Sequence, residues 1–169
     1  MKNIVFILII LFGAISTLKA DVKKWKLEQV GFLNIDRNEK DYGGFSGLLI
    51  NNAGTEALVV TDKSFFFVLE LRRDDNDFLT GYSVIKKGRI LSSKGEHLNG
   101  RNTDSESIAM DANNNYYISF ESNHRIMMHT EVEGKGIFVP KHPMFRKLSV
   151  NKGIAVSYTH LRAHETTNY

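Results

Sequence analysis

Short apolar runs, each closed by a turn-forming or charged stretch, recur along this chain once an N-terminal apolar block is passed. The runs at 48–50, 57–61, 65–71 and 81–91 are rich in Val, Ile, Phe, Tyr and Leu, and they predict four strands. A second group at 107–110, 116–120, 125–129 and 136–139 predicts four more. An earlier stretch, 25–35, places Leu27, Val30 and Phe32 in a strand-like pattern. Asn51-Asn52-Ala53-Gly54 and Asp111-Ala112-Asn113-Asn114-Asn115 are tight-turn signals, and 36–41 and 72–77 are charged connections. After the N-terminal block no stretch carries the 3.6-residue period of an amphipathic helix.

The two groups superpose with an offset of about sixty residues, the length of a repeat unit rather than of a single hairpin. Gly47-Leu48-Leu49-Ile50 falls on Ser107-Ile108-Ala109-Met110, and the two turns coincide. With a single gap, Asp62 after one apolar run matches Glu121 after another. Four-strand units at a fixed period predict an all-β fold, a partial β-propeller of two four-stranded blades. A β-sandwich also has many short strands but not this unit repeat.

The repeat gives the acidic residues a place. Asp104 and Glu106 stand at i and i+2 where a loop enters a strand, so in extended backbone they point to one side. Glu121 follows the next strand, and Asp62 follows its counterpart in the first unit. Acids at strand ends on one rim offer the several oxygen ligands that Ca²⁺ or a similar hard ion takes. The alternative is that they are turn residues closing strands. Lys63, His124 and Arg125 lie beside these acids and are candidates for holding an anionic substrate, although exposed cations are more often plain surface. Gly43-Gly44-Phe45-Ser46-Gly47 is glycine-rich, but it opens a strand and has no helix or Lys-Ser/Thr after it, so it is not a P-loop. His97, His129 and His142 have no mutual spacing that suggests a ligand set.

Composition changes this picture mainly at the ends. Residues 1–20 read as a secretory signal peptide: Lys2, an apolar run over 4–15, and the small residue Ala20 at the cleavage point. The run is short of the ~20 apolar residues of a membrane span, so no stable membrane insertion is expected once it is cleaved. A secreted or periplasmic location follows. Residues 156–169 begin with Val156-Ser157-Tyr158-Thr159-His160-Leu161-Arg162-Ala163-His164-Glu165-Thr166, which resembles a translated sequencing-library adapter. That stretch is read as a non-native tail, so its His160/His164 pair is set aside. The formal charge of the whole chain is +3. Without Lys2, Lys19, Arg162 and Glu165 it falls to about +1, which removes the argument for a nucleic-acid or anionic-membrane partner. There is no cysteine, which excludes a disulfide framework.

Five motifs in the remaining body, 21–155, resemble in their order those of the secreted phytase-like domain family, described as having esterase-like activity of phytase. Gly43-Gly44-Phe45-Ser46-Gly47-Leu48 is similar to its G-G-x-S-G-L opening and Thr61-Asp62 to its S-D step. Asp104-Ser105-Glu106-Ser107-Ile108-Ala109 resembles D-x-E-G-I/L-A, with Ser107 where the family usually has glycine. Tyr117-Ile118-Ser119-Phe120-Glu121 resembles W-x-S-x-E, and Asn151-Lys152-Gly153-Ile154 resembles N-x-G-x-E up to its acid. The resemblance implies a propeller-like fold of about twice this length, of which this chain is the N-terminal part, and phosphoester hydrolysis at carboxylate-rich sites.

Two classes of function remain in view. One is a metal-assisted phosphoester hydrolase, with Asp104, Glu106 and Glu121 as catalytic residues. Asp62 would join those three as metal ligand to Ca²⁺, and a small phosphoester or other anion would be the substrate. The other is a non-catalytic propeller that binds a ligand around a structural cation, since fold alone does not decide function. A propeller lacking half its blades leaves open sheet edges, so the isolated chain is expected to be unstable and inactive.

Overall fold

A computed structural model of the chain describes residues 31–35, 41 and 43–148, all within the unit Gly31–Tyr169. The expected signal peptide, the C-terminal tail, residues 36–40 of the charged connection at 36–41 and the Asn151–Ile154 motif lie outside the described residues.

The described chain is all-β, with eight strands in two antiparallel four-stranded sheets. Sheet 1 runs in chain order through β1 (Phe45–Ile50), β2 (Glu56–Thr61), β3 (Phe65–Arg73) and β4 (Leu79–Arg89). Sheet 2 repeats the pattern with β5 (Ser105–Met110), β6 (Tyr116–Phe120), β7 (Arg125–His129) and β8 (Ile137–Phe138). The eight strands expected after residue 43 form, within a few residues of their expected ends. Of the earlier stretch expected to be strand-like, 25–30 lies outside the described residues and 31–35 has no regular structure. Helix is confined, among the described residues, to two 3-10 turns, Gly100–Asn102 and Pro143–Lys147.

Matching side chains build matching hairpins. Asn51 Oδ1 accepts from the Thr55 and Glu56 amides at 2.9 and 3.2 Å, and Gly54 takes the left-handed conformation at φ +69°. Asp111 Oδ1 accepts from the Asn113 and Asn115 amides at 2.9 and 2.8 Å, and Asn114 sits at φ +63°. These bonds replace ladder bonds at the reversal, and Gly and Asn tolerate the positive φ that it needs. Ile50 pairs with Ala57 and Met110 with Tyr116, so the first hairpin is one residue longer. That is the gap in the repeat.

The first strand pair of each sheet also shares an irregularity. Phe45 pairs with Thr61 and Gly47 with Val60, leaving Ser46 extra. Likewise Ser105 pairs with Phe120 and Ser107 with Ser119, leaving Glu106 extra. Each is a β-bulge, which re-aims a side chain at the end of a pair.

The sheets pack face to face over one core, with Val60, Phe66 and Leu58 from sheet 1 against Ile108, Ile118, Phe120 and Met127 from sheet 2. Ile90, Leu98 and Val132 close it from the connections. Gly47 lets β1 approach β5: a Cβ there would stand 2.8 Å from the Ile108 amide nitrogen. The other face of sheet 1 holds a second cluster, Ala57, Val59, Phe67 and Leu69.

Candidate functional site

The bulge and the register of β5 and β6 assemble the acids. Asp104 is the last residue before β5, Glu106 is the bulge residue, and Glu121 is the first residue after β6. The Glu121 amide donates to the Asp104 carbonyl at 2.9 Å, which extends the pairing past the strand ends. Each of the three half-buried residues offers a carboxylate oxygen, and these oxygens lie within 4.8 Å of one another. Asp104 is held from behind: its Oδ2 accepts from the Ser122 amide at 3.1 Å and from the Ser122 hydroxyl.

Crowding leaves an electrostatic mark. The Glu106 carboxyl is pushed above the usual carboxylate range, first by burial and then by the charges of Asp104, Glu121 and Asp62, with a hydrogen bond to Asp104 adding to it. Like charges disfavour a further ionisation, and a bound cation reverses that cost.

Asp62 reaches the same rim from sheet 1. Its amide donates to the Gly44 carbonyl at 2.8 Å, as the Glu121 amide does to Asp104. Its side chain is exposed and acts on Glu106 through charge, outside the 4.8 Å set. Three serine hydroxyls fasten the sheets here. Ser46 Oγ donates to the Ser105 carbonyl at 2.6 Å, Ser105 Oγ to the Thr61 carbonyl, and Ser64 Oγ to the Thr103 carbonyl.

The three residues expected to hold an anion beside the acids take different positions. Lys63 is exposed in the turn after Asp62, with its amide donating to Thr61 Oγ1 at 3.3 Å. His124 is half-buried in the turn between β6 and β7. Arg125 is only 2% exposed. Its guanidinium lies 3.7 Å from the Phe120 ring centroid and donates to the carbonyls of Asn123 and Asn102 at 3.1 and 2.5 Å. Burial pulls its pKa down to about 10, so it stays charged at neutral pH. It braces the two loops flanking the acids, a role that spacing alone does not reveal.

Sequence reading missed Ser122 and the fastening role of Ser46, Ser105 and Ser64; Ser46 is the serine of the G-G-x-S-G-L opening, and the others match no defined motif position. It also missed Lys141, whose Nζ donates to Asn123 Oδ1 at 3.1 Å, while Asn123 donates to Asn102. A groove of about 490 Å³ between Val68, Lys86, Tyr116 and Val132 lies at the hairpin end of the strands, away from the acids. The acid cluster therefore lies on the rim, outside that groove.

A family model described as phytase-like, esterase-like activity of phytase, matches residues 40–154. No curated protein and no solved structure matches the chain.

Proposed function

The chain belongs to the phytase-like family, and from that premise we propose that it is a metal-assisted phosphoester hydrolase working at the rim formed by Asp104, Glu106 and Glu121. The observation that carries this reading is the convergence of three carboxylate oxygens within 4.8 Å, built by a bulge and two strand ends. An all-oxygen, acidic donor set fits a hard divalent cation such as Ca²⁺. The elevated Glu106 carboxyl fits it too, because that group has most to gain from a positive neighbour.

Asp104, Glu106 and Glu121 would hold the ion, with Asp62 as a fourth acid from sheet 1. When bound, such an ion polarises a phosphoryl oxygen and lowers the pKa of a coordinated water. The chain's own part is orientation. Ser122 fixes the Asp104 carboxylate, Arg125 braces the loops beneath, and Lys63 and His124 stand beside the rim to meet an anionic substrate.

We also read the two sheets as neighbouring blades of a propeller, and the register supports this. Ala57, Val59, Phe67 and Leu69 on the outer face of sheet 1 correspond to Tyr116, Ile118, Met127 and His129, the face that sheet 2 turns to sheet 1. The outer face of sheet 1 therefore has the composition of one that receives a further sheet. A secreted or periplasmic protein is the setting we propose for it.

The test is calorimetric titration of the whole chain with Ca²⁺, followed by hydrolysis of a generic phosphomonoester and of inositol hexakisphosphate with and without chelator. The open sheet edges argued for an inactive chain, but the three rim acids all lie within it, so binding with chelator-sensitive turnover, both lost in Glu121→Gln, is the expected result. Absence of binding and of turnover would sink the reading. Binding without turnover favours a ligand-binding module around a structural cation, a reading to which the engagement of Arg125 by two carbonyls also lends weight.

A further inference from the structure

The two sheets treat one equivalent position in opposite ways. In sheet 2 the residue before the first strand is Asp104, and its carbonyl accepts from the Glu121 amide. In sheet 1 the residue before the first strand is Gly44, and its carbonyl accepts from the Asp62 amide. Gly44 has φ +65°, a left-handed conformation that L side chains rarely adopt, whereas Asp104 is not among the positive-φ residues. The space that a side chain would fill at Gly44 is taken by the Asp62 carboxylate: a Cβ there would collide with both carboxylate oxygens and with Cγ.

The segment bearing Asp62 is pinned on both sides to the segment bearing Asp104. Thr61, just before Asp62, accepts from the Ser105 hydroxyl, and Ser64, two residues after it, donates to the Thr103 carbonyl. Thr103 and Ser105 flank Asp104. The backbone of Asp62 is thus laid beside the sheet 2 acids, and the remaining freedom is that of its side chain.

We infer that Gly44 is a positioning residue: by lacking a side chain it seats the Asp62 carboxylate and holds this acid of sheet 1 in line with the acid cluster of sheet 2. The functional consequence, that Asp62 adds a fourth oxygen donor for the cation, rests on the cation reading given above. Gly44 of the Gly-Gly opening is then a steric requirement of the site, distinct from phosphate cradling, which its context excludes.

A double-mutant cycle on the whole chain tests this, because a left-handed backbone penalty at position 44 is the same whether or not Asp62 is present, while the collision exists only with it. The variants are Gly44→Ala, Asp62→Ala and the pair, each read by Ca²⁺ titration and by thermal melting. Gly44→Asn, which tolerates positive φ better but still carries a Cβ, serves as a second probe if Gly44→Ala folds poorly. Seating predicts that Gly44→Ala and Asp62→Ala each weaken Ca²⁺ binding about tenfold, in the range seen for residues that orient a ligand. The pair is then no weaker than Asp62→Ala alone, and Gly44→Ala lowers the melting temperature more with Asp62 present than without it. Wild-type Ca²⁺ affinity in Gly44→Ala, or losses that simply multiply in the pair, overturns the inference. If the wild type binds no Ca²⁺, the cation reading fails, and the melting cycle decides the seat: coupling upholds it and additivity overturns it.

Discussion

Sheet 1 and sheet 2 share a backbone and differ in what they spend it on. Both have a bulge at the entrance of the first strand, an Asx-closed hairpin after it and an acid directly after the second strand. In sheet 1 the bulge holds Ser46, whose hydroxyl ties the two sheets together. In sheet 2 it holds Glu106, whose carboxyl faces other acids. The interior differs as well. Sheet 1 fills its middle strands with Phe66 and Phe67, while sheet 2 buries Ser105, Ser107, Ser119, Arg125 and His129. The frame supplies positions and the side chains decide whether a position serves adhesion or chemistry. Sheet 1 acts mainly as the apolar wall, and sheet 2 gives up apolar burial for a charged rim.

That contrast is broken most forcefully at Phe66. It is 1% exposed in the inter-sheet core, and its register counterpart in sheet 2 is the half-buried Ile126. Phe66→Ala should cost about 3–5 kcal/mol, measured by urea unfolding, and Ile126→Ala clearly less. Equal losses would mean that the outer face of sheet 2 is packed as tightly as the wall.

Next comes the fastening between the sheets. Ser105 is fully buried, and removing its hydroxyl leaves the Thr61 carbonyl without that donor. Ser105→Ala should destabilise by about 1–3 kcal/mol in the same experiment. A neutral result would remove the serines from the account of how the acids are placed.

The polar interior of sheet 2 should also show in pH dependence. His129 is fully buried, its Nδ1 lies 3.1 Å from the Gly134 carbonyl, and its Nε2 has no partner. Burial lowers its pKa, partly offset by the Gly134 bond. The unfolded chain therefore takes up the proton first as pH falls below the ordinary value of about 6.5. Its contribution to stability is complete above that value and is lost as pH falls through the window down to the lowered folded value. The slope attributable to one proton is at most about 1.4 kcal/mol per pH unit. Flattening of the melting-temperature profile below pH 6.5 in His129→Gln is the check; an unchanged profile would assign the slope to other groups.

The smallest effect on stability is expected at the rim. Glu106→Gln removes one charge from a crowded set, so without divalent ions the melting temperature should rise slightly. The added stabilisation by Ca²⁺ should shrink at the same time, because one donor loses its charge. A fall in melting temperature without ions would contradict the crowding.

The strands were legible in the sequence because each is a compact run of β-favouring residues between turn signals, and Asn51 and Asp111 announce their own hairpins. The acid trio was legible for the same reason, since its members sit at strand ends. The bulge was not. An extra residue in a strand leaves no compositional trace, and Glu106 reads simply as the i+2 partner of Asp104. Nor was the burial of Arg125 legible, because it depends on Phe120 lying opposite it in register and on carbonyls from two separate loops. The role of Gly44 required the side chain of a residue far along the chain to be placed first.

The bulge also bears on how this segment would tolerate small genetic lesions. Elsewhere in β5 the loss of one codon inverts every side chain on one side of the lesion, exchanging core for solvent. At Glu106 it does not. Ser105 already pairs with Phe120 and Ser107 with Ser119, so excising the residue between them leaves an uninterrupted ladder. A three-base deletion there would erase one acid while sparing the strand. The fold could thus survive a lesion that disarms its rim.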